Sequence, residues 1–395
     1  MPVPSPFHAR TAELCESHRW KDWSGYHAVC HFGDDHLPEY FAIRQAAGLL
    51  DVSPLFKYRV EGPDAAVFLA RVMARDVRKL KVGRVAYCTW CDEHGKVLDD
   101  GTVARLGERR FRVTAADPSF AWLARHARGF AVEIEDESQA VAALAIQGPT
   151  SRAVLRDACD ADLAGLRFFG ATACRLDGVD VVLTRTGYTG DLGYEVWCAR
   201  TDALMVWDAL IAAGRAHGLR PIGLDALDMA RVEAGFVLNG VDYWNAQQCL
   251  TEAQKSTPLE LGLGWTVQLD REPFLGSAAL RRERDLGPRR VLAGLEIDWP
   301  ALEALYERFD LPPSLPLSAW RSGVPVYAGR RQIGRATSGS WSPTLKRNLA
   351  LATLDARHAA EGARLDFEVT VEYERHNVPA RVVATPFFDP ARKRS

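Results

Sequence analysis

The chain has 395 residues, 47% of them hydrophobic and 25% charged, and this length predicts two or three domains in place of one ordinary core. A formal net charge of −2 leaves no basic excess to neutralise a phosphate backbone, so nucleic acid is excluded as a partner and a small ligand is favoured. No apolar window reaches membrane length and MPVPSPFHAR has no charged-then-apolar signal pattern, so a cytoplasmic protein without a membrane partner is expected.

Residues 5–32 are polar and aromatic, with Trp20, Trp23 and Tyr26 around Gly25. His27, His31 and His36 lie beside Asp34 and Asp35, but no metalloenzyme spacing is complete, so they read as solvated loop histidines and no metal is predicted. The apolar spacing of 37–50 predicts a helix with a stop near Gly48. From Phe56 the order is strand, a Gly62-Pro63-Asp64 break, then a helix over 65–73, and residues 140–156 echo it.

Residues 84–103, RVAYCTWCDEHGKVLDDGTV, read as a β-hairpin with its turn at Asp92-Glu93-His94-Gly95. Asp99 and Asp100 follow the start of the second strand. Side chains alternate faces along a strand, so one carboxylate should point inward and the other to solvent. An inward carboxylate facing Tyr87 and Trp90 is a candidate for proton chemistry, the plain alternative being an Asp pair hydrogen-bonded to backbone amides. Cys88 and Cys91 form a lone C-x-x-C inside a strand, without the second pair of a zinc ribbon or the helix start of a redox site. The eight cysteines are too sparse for a disulfide framework and are expected to be free thiols. With a strand at 110–114 and a helix at 121–128, residues 57–138 read as an α+β unit.

Residues 180–198 form a second hairpin. Gly187, Gly190 and Gly193 are turn glycines, since no Gly-Lys-Ser/Thr follows them. Glu195 sits in an apolar strand between Tyr194 and Val196, either on an exposed face or as a bidentate acceptor for a ring with adjacent N–H donors. Helices are predicted over 203–217 and 223–234, the second carrying Arg231 and Glu233. The charged stretch 270–288 reads as a linker, 289–388 as a strand-rich β-barrel-like domain, and the tail ARKRS as frayed.

One ordered set of motifs runs nearly end to end: Ala42-Ile43-Arg44, GLLDVS at 48–53, Gly95 to Asp100, IQGP at 146–149, TGYTG at 186–190 with Gly193-Tyr194-Glu195, RVEAG at 231–235, Gly264-Trp265 and TSGSWSPTL at 337–345. It resembles the aminomethyltransferase family, the glycine-cleavage T-protein and its tetrahydrofolate-dependent relatives. The resemblance implies an α+β fold, a three-domain cloverleaf around a central folate funnel. Its parts are a discontinuous folate-binding α+β domain (1–56 and 139–265), a second α+β domain (57–138) carrying the catalytic aspartate, and a C-terminal β-barrel domain (289–388). It further implies tetrahydrofolate as cofactor, Asp99 as the catalytic residue and Glu195 as the carboxylate gripping the pterin. Tyr87, Tyr188, Arg231, Trp265 and Trp341 fall at or near positions lining the pterin or substrate pocket.

The departures from that pattern bear on the substrate. Glycine-cleavage enzymes usually carry Asn where this chain has Ala115-Ala116-Asp117, Arg where it has Leu227, and an acidic stretch where it has Val241-Asp242-Tyr243-Trp244-Asn245. The Ala-Asp variant is similar to one in the dimethylsulfoniopropionate demethylase branch. These differences weigh against a lipoyl carrier protein as partner and favour a free small molecule, methylated on oxygen, nitrogen or sulfur, as donor; the chain itself is expected to be a monomer or homodimer. N5 of the folate would attack the methyl, and Asp99 would stabilise charge there or accept the proton. A cationic donor would rest on the π face of Trp90 or Trp244, whereas a methyl ether would need a proton from Tyr243 or His94. Two rival readings remain, an aminomethyltransferase acting on a lipoyl-bound group and a non-catalytic folate-binding protein of iron-sulfur repair, whose cysteine motif is missing here.

Overall fold

The computed structural model describes residues 1–315 and 318–395. Three β-systems organise them. The first is a six-stranded sheet ordered Ala171–Leu176, Val179–Thr184, Gly193–Ala199, Val141–Gln147, Ala47–Asp51 and Leu219–Pro221, antiparallel except at its last pair. Its middle strand, VAALAIQ, is apolar at nearly every position because both of its faces are covered. Leu144 and Ile146 pack with Trp207 and Leu210 of the helix Ala203–Gly214. Ala143 and Ala145 pack with Tyr40 and Ile43 of the helix Leu37–Gln45 and with Met229 of the helix Leu224–Glu233.

The helix expected to stop near Gly48 is therefore shorter than that. It ends at Gln45, and Ala47–Asp51 is a strand pairing with Val141–Gln147. Gly48 permits this, since a Cβ there would lie 2.8 Å from the Ile222 side chain. Tertiary pairing has overridden local helical spacing.

The second sheet has the order Arg84–Cys91, Val97–Arg105, Arg110–Ala115, Phe56–Glu61, Glu133–Asp136. Phe68 and Leu69 of the helix Ala65–Val72 and Leu123 of the helix Phe120–His126 fill one of its faces. On the other face Tyr87, Cys91 and Val97 meet Tyr243, Leu261 and Leu263 of the irregular segment that follows the helix Leu224–Glu233. That segment is the lid over the hairpin. The third system is a closed barrel of six strands between Arg290–Ile297 and Glu374–Val383. Closure leaves no unpaired edge, and Leu302 and Leu305 of the helix Trp299–Glu307 pack into its core. The chain is thus α+β with a C-terminal barrel.

Three further expectations need correction. Residues 270–288 are not a loose linker, because they contain the helix Ser277–Leu286, whose buried Leu280 packs on Gly95 of the hairpin turn. The tail is not frayed: Arg392 forks onto Asp191 at 2.7 and 2.8 Å, and Arg152 and Arg185 both donate to the carbonyl of Ser395. His31 and His36 are buried and not solvated, His31 Nδ1 lying 3.1 Å from Asp225 and His36 Nε2 3.0 Å from the Met229 sulfur. All eight cysteines are free. Among the described residues no helix is long and apolar enough to cross a membrane.

Candidate functional site

The site grows from the hairpin register, which sets Asp99 opposite Trp90 and Asp100 opposite Thr89, with an irregularity in the ladder at Trp90/Cys91. Asp99 is fully buried. Its Oδ2 accepts the backbone N–H groups of Ala116 at 2.9 Å and Asp117 at 2.8 Å. Its Oδ1 accepts the N–H of Asp100 at 2.9 Å, Asn239 Nδ2 at 3.1 Å and the Tyr243 hydroxyl at 3.3 Å. Asp100 accepts two phenols, Tyr87 at 2.5 Å and Tyr243.

Alternation along the strand predicted one carboxylate in solvent, and the structure corrects this. Both carboxylates converge on Tyr243, because the segment after the helix Leu224–Glu233 covers the face that would otherwise be wet. Burial first, and then repulsion from Asp100, push the Asp99 carboxyl up against the pull of the Asp117 and Asp100 amides. Burial likewise raises Asp100 against the hydroxyls of Tyr243 and Tyr87, and it raises both phenols.

The other sequence candidates divide into those that join this group and those that do not. Tyr87 is stacked under Trp265 with centroids 5.6 Å apart at 17°, and the Arg75 guanidinium lies 5.7 Å from the Trp265 ring centre. Tyr188 lies in the field of both Asp100 and Arg231, its ring stacked on Phe236 and its hydroxyl donating to the Val237 carbonyl. Arg231, 1% exposed, donates from Nε to Asp228 at 2.7 Å and from Nη1 to Asp242 at 2.6 Å and Ser338 at 3.0 Å. Its Nη2 is buried with no partner among the described residues. Glu195 faces the helix Leu224–Glu233 side of its sheet and not open solvent, with Thr184 and Thr186 donating to Oε2 at 3.2 and 2.8 Å. Burial raises its carboxyl.

Trp90 and His94 are corrections. Trp90 is 1% exposed and belongs to the core with Cys88, Leu98 and Val103, so neither ring face is open to a substrate. The His94 side chain is 75% exposed at the hairpin turn and faces Glu93, away from the carboxylates. Trp341 stands apart, tilted against Trp299 at 5.0 Å on the opposite strand face from Ser342, which donates to Glu233 at 2.5 Å. Trp244 is 44% exposed on the covering segment.

Reasoning from sequence missed Asn239 and gave no role to Asp228, Thr337 or Ser338. Thr337 and Ser338 both donate to Asp242, at 2.5 and 2.7 Å, and so tie the barrel to the segment that carries Asn239 and Tyr243. The available signal was the run Leu238-Asn239-Gly240-Val241-Asp242-Tyr243 two residues after RVEAG, where a turn-forming Asn-Gly is followed one residue later by an acid and a phenol.

Residues 7–271 match the family model described as the GCVT N-terminal domain, and residues 312–389 match the glycine cleavage T-protein C-terminal barrel domain. The chain is 35% identical over 356 residues to an aminomethyltransferase of Bacillus cereus strain AH187, covering 89% of each. It belongs to the glycine cleavage T-protein family. Within that family it is 37% identical over 355 residues to an aminomethyltransferase of Halalkalibacterium halodurans, again covering 89% of each. It is 35% identical over 402 residues to a trimethylamine-oxide aldolase of Ruegeria pomeroyi, covering 98% of this chain and 47% of that protein, so it spans about half that relative's length. The crystal structure of glycine cleavage system aminomethyltransferase T from Bartonella henselae superposes with a TM-score of 0.83 at 25% identity, covering 98% of this chain and 99% of that one. The family fold therefore extends over 98% of this chain.

Proposed function

We propose that this chain is a tetrahydrofolate-dependent one-carbon transferase that takes its group from a small donor methylated on nitrogen or sulfur. The observation that carries this reading is the buried Asp99–Asp100 pair, to which no Lys, Arg or His among the described residues donates a hydrogen bond. Two carboxylates without a cationic partner favour a donor that brings its own positive charge over a neutral methyl ether. The similarity to both aminomethyltransferases and a trimethylamine-oxide aldolase supports one-carbon chemistry without choosing the donor.

The residues also fit a reduced pterin. Glu195 keeps Oε1 free of donors among the described residues while Oε2 takes both threonines, and Arg231 keeps Nη2 free of acceptors. A free acceptor and a free donor match a ring that offers adjacent N–H groups and a carbonyl oxygen. When bound, tetrahydrofolate supplies a nucleophilic nitrogen that accepts the one-carbon group. Asp99 holds negative charge near the reacting centre, fixed in place by backbone N–H groups so that it need not reorganise. The stacked Tyr87 and Trp265 rings exclude water from one side of the pair.

Transfer of an aminomethyl group from a lipoyl carrier is the second reading, favoured by the two-way 89% coverage against aminomethyltransferases. The experiment is to incubate the chain with tetrahydrofolate and, separately, methylated amines, sulfonium compounds, methyl ethers and a lipoylated carrier, following 5-methyl- and 5,10-methylenetetrahydrofolate. Product from amines or sulfonium compounds is expected. Product from the carrier alone would establish the second reading in its place, and folate binding without any product would leave a non-catalytic protein.

A further inference from the structure

We propose that Asp100, not Asp99, is the proton-holding member of the pair, with Tyr243 relaying the proton between them. The two carboxylates differ in their hydrogen-bond partners. Four N–H groups point at Asp99, from Ala116, Asp117, Asp100 and Asn239. Three belong to the backbone and cannot turn away or accept. A proton placed on either oxygen of Asp99 would confront these donors and weaken bonds that stabilise only the ionised form.

Asp100 has no such constraint. Its partners are the hydroxyls of Tyr87 and Tyr243, and a hydroxyl donates or accepts as its rotor allows. Tyr243 touches both carboxylates, through Oδ1 of each. With Asp100 protonated, its O–H donates to the Tyr243 oxygen while the Tyr243 hydroxyl turns to Asp99 Oδ1. When the proton moves, the Asp100 O–H bond breaks as one forms on Tyr243, and the Tyr243 O–H bond breaks as one forms on Asp99. Charge changes places and no atom is lost. Two carboxylates this close cannot both ionise freely, so the pair keeps one proton over a wide pH range and Asp100 is its resting place.

The titratable and charged groups facing Asp100 are Asp99 on its own strand, Tyr87 on the paired strand and Tyr243 on the covering segment. Tyr188 faces it from the glycine-rich turn, Asp117 lies beyond Asp99, and Arg75 donates to the Tyr87 carbonyl at 3.4 Å. Only the phenols bond to Asp100 directly. In the proposed reaction, Asp99 is then the resting anion, protonated only in passing, and Asp100 the group that gives up a proton and takes it back through Tyr243.

The test rests on the transferase reading only for its meaning, since it is read in the free chain. Aspartate labelled with ¹³C at the carboxyl is titrated by NMR, with Asp100→Asn and Asp99→Asn assigning the two resonances. As pH falls, the resonance absent from D100N should move first and the one absent from D99N last. Tyr243→Phe removes the oxygen that accepts the Asp100 proton and the hydroxyl that donates to ionised Asp99, and should lower the proton affinity of Asp100 roughly tenfold. If D99N fails to fold, D100N and Y243F still identify Asp100. Earlier titration of Asp99, or no effect of Y243F on Asp100, would overturn the proposal while leaving the one-carbon reading intact. Absence of turnover with every donor would overturn that reading and leave the titration order standing.

Discussion

Arg44 and Glu233 form a buried ion pair in which Nε and Nη2 of the arginine reach the same carboxylate oxygen, at 2.9 and 2.6 Å. The other oxygen takes the hydroxyls of Tyr40 and Ser342, both at 2.5 Å. One carboxylate thus joins the helix Leu37–Gln45, the helix Leu224–Glu233 and the barrel strand Arg331–Ser342. Removing it leaves a buried guanidinium with only Asp191, 3.6 Å away, as a charged partner. Glu233→Ala should cost ~3–5 kcal/mol, seen as a lowered denaturant midpoint. A loss below about 1 kcal/mol would show that the joint is dispensable.

Glu195 tests the anchoring of the pterin. Glu195→Gln keeps the shape and can still accept from Thr186, but replaces a charge-assisted acceptor with a neutral one. Folate affinity measured by calorimetry should fall by roughly 10–100-fold, while thermal stability changes little. Unchanged affinity would make this carboxylate structural.

Asp99→Asn tests the standing anion. Its amide would set an NH₂ group either against the backbone donors of Ala116 and Asp117 or, flipped, against the N–H groups of Asp100 and Asn239. Single-turnover rates should drop by ~10²–10³-fold with folate affinity held. Equal loss of affinity and rate would point to a collapsed site and not to a lost charge.

A thiol prediction follows from the first sheet. Cys159 and Cys174 are half-buried beside each other at the sheet edge, and the hydrogen bond from Cys174 brings the Cys159 thiol down to about 7. Burial holds Cys88 up at about 12. Since only the thiolate reacts, iodoacetamide should label Cys159 first, with a rate that rises between about pH 6 and 8. Peptide mass spectrometry reads the order, and Cys174→Ala should shift the rise to higher pH. Faster labelling of Cys88 would contradict it.

Much of this was legible locally. The hairpin, its turn and the adjacent carboxylates follow from alternation and turn chemistry, which act over a few residues. Ordered motifs from Ala42 to Leu345 resemble the glycine cleavage T-protein family, to which the chain belongs. The failures were all non-local. Trp90 and Trp265 look equally available in sequence, yet one is core and the other is 58% exposed over Tyr87. The stop expected near Gly48 comes earlier, after Gln45, where the chain turns into the strand that pairs with Val141–Gln147, and the tail looks loose until Asp191 binds Arg392.

By itself, then, the sequence determined the 84–103 hairpin, its turn and that two acids stand side by side, because backbone sterics and side-chain periodicity are short-range. Only the tertiary structure decided what those acids meet. Tyr243 lies 143 residues from Asp100 and Asn239 lies 140 from Asp99. The environment of a buried charge is set by donors that folding brings together from several segments, and no single stretch of chain specifies them.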